Sequence, residues 1–133
     1  MKKKIIILGS TGSIGKTTLK IIKKDIKNFE IVLLTTNNNI KELSVQINNL
    51  KPKNVLIFDK KKYFYFMKNN SNKKINIFNN IDDFKKNNKK KIDYTMCAIS
   101  GLDGLQPTLS LISLSKKIAI ANKESIICGW NLI

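Results

Sequence analysis

A strand-like run near the N-terminus, Lys4 to Leu8, passes through a glycine-containing turn directly into a helix-like stretch, Lys16 to Ile22. The glycines of this turn are Gly9, Gly12 and Gly15. A β-strand that turns through glycines into a helix lets the backbone approach an anion closely, and it aims unpaired amides and the positive end of the helix dipole at that anion. The segment therefore predicts a site for the phosphate groups of a nucleotide.

The spacing of the glycines favours a dinucleotide-binding turn, here in the form Gly-x-x-Gly-x-x-Gly. In this interpretation Gly9 forms the tight turn, Gly12 lies where the backbone approaches a pyrophosphate, and Gly15 lets the helix pack on the strand. Hydroxyl groups of the turn are additional expected donors to phosphate oxygens, and they belong to Ser10, Thr11 and Ser13.

A P-loop NTPase is the alternative, because residues 15–17 are Gly-Lys-Thr. A P-loop has four residues between its first glycine and this tripeptide. That first position is occupied by Ser10, and Gly9 lies one residue too far upstream. Asp59, which follows an apolar strand-like run, would be the magnesium-holding acid of such an enzyme.

Strand-like and helix-like segments alternate along the whole chain, which predicts a parallel sheet with right-handed crossovers. The expected fold class is α/β, with a Rossmann-like, doubly wound, mostly parallel sheet and helices on both faces. The predicted strands are 4–8, 29–36, 55–58, 75–78, 94–99 and 117–121, and the predicted helices are 16–22, 40–50, 60–68, 81–86, 105–115 and 124–133. Ligands of such sheets bind at the carboxyl edge of the strands, where the glycine turn, a second turn at 100–104 and residues 122–124 all fall.

A chain of 133 residues is long enough for one domain. We expect residues 1–133 to form a single nucleotide-binding domain. The last helix-like stretch reaches Ile133 without a cap or closing turn, so we also expect a larger protein to continue beyond it. Trp130 is then either a contact for that missing part or a cover for its own sheet.

The net charge of +16 raises the possibility of nucleic-acid binding. All 25 basic residues are lysines, however, and arginine is the residue that bidentate phosphate and guanine contacts favour. The abundance of Lys, Asn and Ile suggests a compositional drift over solvated surfaces, and we expect no nucleic-acid partner. A lysine-rich nucleic-acid-binding module stays as a further alternative, supported mainly by the basic and aromatic segment 60–66.

The sequence also predicts the compartment and the metal content. Cys97 and Cys128 both lie in apolar runs, which predicts two small buried thiols and a reducing, cytoplasmic location. The apolar run after the N-terminal lysines is too short for a signal peptide, and no run is long enough to span a membrane. The chain has no histidine and no cluster of carboxylates at ligand spacing, so we expect no metal site within it.

The end of the second predicted strand bears on the choice of cofactor. NAD sites place an Asp or Glu there for the adenosine ribose, whereas this chain has Thr-Thr-Asn-Asn-Asn at residues 35–39. Because no carboxylate repels a 2'-phosphate and several amides and hydroxyls can donate to it, the sequence favours NADP over NAD. The nearest cation is Lys41.

Three separate motifs resemble the N-terminal NADPH-binding domain of the 1-deoxy-D-xylulose 5-phosphate reductoisomerase family. The first is Leu-Gly-Ser-Thr-Gly-Ser-Ile-Gly at 8–15 with Thr-Leu at 18–19. The second is Ala-Ile-Ser-Gly-x-x-Gly-Leu-x-Pro-Thr at 98–108, and the third is Ala-Asn-Lys-Glu-Ser at 121–125. Together they extend the resemblance over essentially the whole chain, although proteins of this family continue for considerably more residues.

The resemblance implies an activity and a set of contacts. The family reduces and isomerises 1-deoxy-D-xylulose 5-phosphate to 2-C-methyl-D-erythritol 4-phosphate in the non-mevalonate route to isoprenoids, with NADPH as hydride donor and a divalent metal, Mg or Mn, on substrate oxygens. By this similarity Lys123 contacts the phosphosugar substrate. The expected cofactor contacts are Thr11, Gly12, Ser13, Ile14, Asn39, Asn122 and Glu124.

The same resemblance limits what this chain is expected to do alone. The metal ligands and most substrate contacts of the family lie beyond residue 133, so we expect no catalytic residue here, a fragment without activity, and a homodimer only for the full-length protein. Many members have Gly followed by Lys or Arg ahead of Asn39, where this chain has Asn37 and Asn38. The 2'-phosphate is therefore expected to be held more weakly.

Overall fold

The computed structural model describes residues 1–132 and contains a single sheet flanked by helices. The strands are Lys3–Leu8 (β1), Phe29–Thr36 (β2), Asn54–Ile57 (β3), Asn76–Phe78 (β4), Tyr94–Cys97 (β5) and Ile118–Ile120 (β6). The α-helices are Ser13–Lys23 (α1), Ile40–Leu50 (α2), Lys60–Asn69 (α3), Ile81–Asn87 (α4), Leu105–Leu111 (α5) and Lys123–Gly129 (α6). Short 3-10 turns follow α1, α5 and α6 and precede α5.

All six strands are parallel, in the order β4-β3-β2-β1-β5-β6. The chain winds outward in one direction from β1 to β4, crosses back, and continues in the other direction through β5 and β6. The order therefore reverses between β1 and β5, and this switch point is where doubly wound sheets bind their ligands. The predicted fold class is confirmed.

Two apolar clusters cover the two faces of the sheet, and β1 contributes to both. Ile5 and Ile7 point to the cluster beneath α1, α2 and α3, whereas Ile6 and Leu8 point to the cluster beneath α4 and α5. A strand buried on both faces requires a nearly continuous apolar run, which is the pattern of parallel sheets enclosed by helices. The same requirement explains why Asn54–Ile57 is buried at every position.

Two predicted helices are shorter than the sequence suggested. The helix predicted at 105–115 ends at Leu111 and continues as a 3-10 turn, Ile112–Leu114. The helix predicted at 124–133 is α6, which begins at Lys123, ends at Gly129 and is followed by the 3-10 turn Trp130–Leu132; residue 133 lies outside the described residues. Apolar periodicity alone does not distinguish a final α-helical turn from a 3-10 turn.

The two cysteines and the tryptophan of this chain differ in how far they are buried. Cys97 is buried, as predicted, and burial raises the pKa of its thiol. Cys128 is exposed, so the prediction of a second buried thiol is wrong, because only one side of α6 packs on the domain. Trp130 is 70% exposed and does not cover its own sheet.

Within residues 1–132, no helix is long and apolar enough to cross a membrane.

Candidate nucleotide-binding site

In the turn after β1, backbone segments lie so close together that two positions have no room for a side chain. Gly9 has φ 76°, and a Cβ atom there would lie 2.9 Å from the carbonyl carbon of Ala98. A Cβ atom on Gly15 would lie 2.2 Å from the carbonyl oxygen of Gly9. Neither contact can relax by moving a flexible side chain, because both involve backbone. These two positions therefore require glycine for steric reasons.

Gly12 differs from the other two glycines of this turn. Its backbone is extended, with φ −79° and ψ 174°, so any residue could adopt its conformation. A Cβ atom there would meet only the carbonyl oxygen of Gly9, at 3.6 Å. Gly12 also lines the cleft at the carboxyl edge of the sheet. Because Gly12 has no side chain, there is room in the cleft for a phosphate group of a ligand to approach its backbone closely.

The start of α1 presents amides toward this space. The N-cap residue is Gly12, which has no side chain that could cap the helix. Among the described residues, the amides of Ser13, Ile14 and Gly15 have no hydrogen-bond partner in the protein. Such amides at the positive end of a helix form a binding site for anions. Ser13 and Ile14 are also exposed, the latter to 46%.

Ser10 does not take part in this surface, which corrects the prediction that its hydroxyl binds phosphate. It is fully buried, and its hydroxyl donates to the side-chain oxygen of Gln46 at 2.7 Å. Its amide donates to the carbonyl of Thr35 at 2.9 Å, and the side-chain amide of Gln46 donates to its carbonyl at 2.9 Å. These bonds tie the turn to β2 and α2, so Ser10 fixes the position of the turn.

The end of β2 lies beside the turn and is joined to it by hydroxyl groups. Thr11 and Thr36 share a hydrogen bond of 2.7 Å, and the amide of Asn39 donates to the hydroxyl of Thr36 at 3.2 Å. The side-chain oxygen of Asn39 caps α2 by accepting from the amide of Glu42 at 3.1 Å. Asn39 is exposed, and the NH2 group of its side chain has no protein partner within residues 1–132. This group is therefore free to donate to an anion.

The turn after β5 forms the other side of the cleft. Asn122 is buried there, and its side-chain amide donates to the carbonyl oxygens of Ile99 and Gly101. Its side-chain oxygen caps α6 by accepting from the amide of Ser125 at 3.2 Å. Both ends of the side chain are thus engaged within the protein, and Asn122 couples the second turn to the start of α6.

Lys123 and Glu124 follow directly, in the first turn of α6. Lys123 is exposed and Glu124 is half-buried. Within the described chain neither forms an ion pair, so the ammonium group of Lys123 is available to a ligand at this edge. Glu124 also complements the positive end of the α6 dipole.

A cleft of about 690 Å³ joins the two turns across the switch point. Its lining residues come from the ends of β1, β2, β3 and β5 and from the start of α5: Gly9, Thr11, Gly12, Thr35, Asn37, Phe58, Ala98, Ile99, Ser100, Leu102, Asp103, Gln106 and Pro107. No lysine lines the cleft within residues 1–132, although the chain has 25 basic residues. Anion binding in the cleft therefore depends on amides and hydroxyls.

The cleft brings together some of the predicted contacts and omits others. Thr11 and Gly12 line it directly, and Ser13 and Ile14 follow them at the start of α1. Asn39, Asn122, Lys123 and Glu124 lie on the same edge of the sheet but outside the cleft lining. The sequence did not predict Asp103 or Gln106 as site residues. Asp103 falls in the turn predicted at 100–104 and Gln106 in the helix predicted at 105–115, and no motif gave either residue a role. Sequence reasoning also missed Gln46, whose position between Leu43 and Ile47 on the buried face of α2 was a detectable signal.

The geometry does not support the P-loop alternative. Asp59 follows β3, two strands away from β1 and therefore about 10 Å to the side. Its carboxylate caps α3 by accepting from the amide of Lys62 at 2.9 Å. The hydroxyl of Thr17 donates to the carbonyl of Ser13 within α1 at 2.9 Å. The acid and the hydroxyl that would hold magnesium are therefore used in helix structure.

No group of three or more potential metal ligands exists among residues 1–132. The two ion pairs of the described chain, Lys53 with Glu30 and Lys116 with Asp93, lie away from the cleft at the opposite, amino edge of the sheet. Their hydrogen bonds to lysine lower the pKa of Glu30 and lower that of Asp93 to about 2. The described side chains at the carboxyl edge of the sheet therefore do not fit a divalent ion.

Comparison with known proteins matches nearly the whole chain to one family. The family model described as 1-deoxy-D-xylulose 5-phosphate reductoisomerase matches residues 5–129. A relative of that name from Pelagibacter ubique is 57% identical in an alignment of 133 residues that covers 98% of this chain and 34% of the relative. Another, from a Thermoanaerobacter species, is 40% identical over 131 residues, again 98% of this chain and 34% of the relative. The chain therefore spans about a third of the length of these relatives.

Solved structures agree with the sequence comparison. The reductoisomerase from Zymomonas mobilis in complex with NADPH superimposes with a TM-score of 0.88 at 30% identity, covering 99% of this chain and 35% of that one. A second reductoisomerase, in complex with NADPH, fosmidomycin and magnesium, gives a TM-score of 0.81 at 26% identity, covering 94% and 31%. The likeness extends over nearly all of this chain.

Proposed function

The chain belongs to the 1-deoxy-D-xylulose 5-phosphate reductoisomerase family, and from that premise we propose that it is the NADPH-binding domain of such an enzyme. The enzyme converts 1-deoxy-D-xylulose 5-phosphate to 2-C-methyl-D-erythritol 4-phosphate in isoprenoid biosynthesis. NADPH, when bound, supplies the hydride. The residues of this chain hold and orient the cofactor.

The observation that carries the proposal is the open surface at Gly12. The neighbouring amides of Ser13 and Ile14 have no partner among the described residues, and the missing Cβ of Gly12 leaves the cleft open beside them. A pyrophosphate accepts hydrogen bonds from such amides and needs this close approach. Thr11 and Ser13 add hydroxyl donors from either side of Gly12.

Substitution of Gly12 tests this proposal without disturbing the fold. Since its backbone conformation is open to any residue and a Cβ atom meets no close neighbour, Gly12→Ala should cost less than about 1 kcal/mol of stability. The added methyl group projects into the cleft, so calorimetry should show at least a roughly tenfold weaker affinity for NADPH. An unchanged affinity would contradict the proposed pyrophosphate site.

Lys16→Ala is the matched control in the same helix. In a P-loop this lysine would bind nucleotide phosphates directly, so its loss would abolish ATP or GTP binding. In the proposed site the amides bind the pyrophosphate, and Lys16→Ala should change the affinity for NADPH by less than about threefold. Tight ATP binding that this substitution removes would favour the P-loop alternative.

The preference for NADPH over NADH rests on the end of β2. Asn37, Asn38 and Asn39 are all exposed there, and they provide donors but no carboxylate. Calorimetry should therefore give a higher affinity for NADPH than for NADH. Asn38→Asp adds a negative charge beside the 2'-phosphate and should reduce or reverse this preference. Equal affinities of the unmodified chain for the two cofactors would contradict the assignment.

Substrate conversion requires residues that this chain does not contain. We assign Lys123 to the phosphosugar, Asn122 and Glu124 to the cofactor side of the same edge, and the divalent metal, Mg or Mn, to ligands in the rest of the full-length protein. That protein is proposed to be a cytoplasmic homodimer, with no membrane or nucleic-acid partner.

A fusion tests this division between the two parts of the protein. The chain joined to the remaining residues of the Pelagibacter ubique relative should oxidise NADPH, measured by absorbance at 340 nm, only with substrate and a divalent metal. Lys123→Ala should lower the rate and raise KM for the substrate, while the affinity of the 133-residue chain for NADPH stays unchanged. NADPH oxidation by the 133-residue chain alone would overturn the division.

A further inference from the structure

The two walls of the cleft come from opposite sides of the switch point. Phe58 and Asn37 follow β3 and β2 on one side, whereas Ser100, Asp103 and Gln106 follow β5 on the other. In doubly wound dinucleotide-binding folds each half of the sheet binds one mononucleotide, with the pyrophosphate between them at the first glycine turn. If the adenosine half lies along β2 and β3, the wall that follows β5 faces the nicotinamide nucleoside.

Among residues 1–132, Asp103 is the only charged residue in the lining of the cleft. It is exposed, and within residues 1–132 its carboxylate has neither an ion-pair nor a hydrogen-bond partner. An ionised carboxylate can only accept hydrogen bonds. Water supplies donors to this exposed carboxylate, and a ligand that displaces the water has to supply a donor in its place. The phosphates of a dinucleotide offer none.

Ribose hydroxyls are the donors that fit. A carboxylate accepting from ribose hydroxyls is the arrangement by which NAD sites hold their adenosine ribose at the end of the second strand. This chain lacks a carboxylate at that position and instead has one on the opposite wall. We infer that Asp103 binds a hydroxyl group of the nicotinamide ribose, and thereby helps to position the nicotinamide half of the cofactor. The inference rests on the proposed function and adds a contact to it.

A simpler role for Asp103 is local. It lies in the 3-10 turn Leu102–Gly104 that leads into α5, where an acidic side chain complements the helix dipole. That role predicts a change in stability and no change in cofactor affinity. A third possibility is repulsion of the phosphates, which predicts tighter binding of any phosphate-bearing ligand after its removal. The three roles thus differ in what they do to binding.

Two ligands separate the halves of the site. NADPH contains both nucleosides, whereas adenosine 2',5'-bisphosphate contains only the adenosine half with its 2'-phosphate. Asp103→Ala in the 133-residue chain should weaken NADPH binding about tenfold or more, as expected for a lost hydrogen bond to a charged group, and leave the affinity for the bisphosphate within about twofold. Asp103→Asn retains an acceptor oxygen and should weaken NADPH binding less than Asp103→Ala.

Asp82→Ala is the matched control, because Asp82 is an exposed acid in the first turn of α4 outside the cleft. It should leave both affinities unchanged. An unchanged or tighter affinity of Asp103→Ala for NADPH, or an equal loss for both ligands, overturns the inference about Asp103. Failure of the unmodified chain to bind either ligand overturns the proposed function as well.

Discussion

The turns after β1 and β5 both contain a glycine in the left-handed region, but the reasons for the glycine differ. Gly9 has φ 76° and Gly101 has φ 72°. A Cβ atom on Gly9 would overlap the backbone of Ala98, whereas one on Gly101 would meet nothing within 4 Å. Gly9 is therefore required by packing as well as by its backbone conformation, whereas Gly101 is required by its backbone conformation alone. A turn that presents amides to a pyrophosphate gains from the first arrangement, because its donors are preorganised.

Gly15→Ala should have the largest effect, because it breaks the packing of the first turn. The new Cβ atom would lie 2.2 Å from the carbonyl oxygen of Gly9 and 2.7 Å from the Cα atom of Ser10. Backbone must move to accommodate it, so we expect a loss of about 3 kcal/mol or more in the free energy of unfolding, measured with urea. Gly12→Ala is the control in the same turn. Similar losses for the two variants would show that packing does not fix this turn.

The pair Gly9→Ala and Gly101→Ala isolates the difference between the turns. Both place an alanine at positive φ, which costs about 1 to 3 kcal/mol. Gly9→Ala adds an overlap with the backbone of Ala98, worth about 1 to 3 kcal/mol more. We therefore expect Gly9→Ala to be the more destabilising variant in urea unfolding. Equal losses would mean that conformational strain accounts for both glycines.

The sequence predicted the first turn better than the second, for a physical reason. Glycines that recur between an apolar strand and a helix are constrained by close backbone approach, and that constraint is visible in the spacing of Gly9, Gly12 and Gly15. The parallel sheet was also predictable, because a strand enclosed on both faces needs a continuous apolar run such as Ile5 to Leu8. Local rules of this kind need no knowledge of distant contacts.

Long-range contacts were not predictable. The hydroxyl of Ser10 was expected to face a phosphate, but Gln46, 36 residues away, holds it inside the protein. Cys128 lies in an apolar run like that of Cys97, yet it is exposed because α6 packs by one side only. The side chain of Asp103 faces a cleft that exists only when the ends of four strands meet. The local sequence does not determine which side of a polar or short apolar segment packs against the rest of the protein.

Asn122→Ala should affect the second turn more than the first. Its side chain donates to the carbonyls of Ile99 and Gly101 and caps α6 through Ser125. Its removal leaves the buried amide of Ser125 and two half-buried carbonyl groups without these partners. We expect a loss of about 1 to 3 kcal/mol in the free energy of unfolding. Hydrogen exchange should become faster at the amides of residues 100–104 and of α6.

The first turn supplies the internal control for this experiment. In that turn the amide of Ser10 donates to the carbonyl of Thr35, and this bond does not involve Asn122. Exchange at Ser10 should therefore change only in proportion to the global loss of stability. Equal additional opening of both turns in Asn122→Ala would show that the two turns form one cooperative unit.

Asp93→Asn should have the smallest effect, and it tests whether the amino edge of the sheet controls the relation between the turns. Asp93 precedes β5 and accepts from the amide of Lys4 in β1 at 2.9 Å and from the ammonium group of Lys116 at 2.8 Å. These bonds lower its pKa from 3.8 to about 2. Because the pKa is lower in the folded state, the associated stability is present above about pH 4 and is lost as the pH falls through about 2.

Asp93→Asn should therefore reduce the loss of stability between about pH 4 and pH 2, measured by urea unfolding at a series of pH values. Asparagine keeps an acceptor oxygen for the amide of Lys4, so the register of β1 and β5 should persist and the affinity for NADPH at pH 7 should stay unchanged. The exposed Asp82→Asn is the control for the loss of one carboxylate. A weaker NADPH affinity in Asp93→Asn but not in Asp82→Asn would show that contacts at the amino edge of the sheet help to hold the two turns in place. Packing and backbone conformation at the carboxyl edge would then not be enough to explain the positions of the turns.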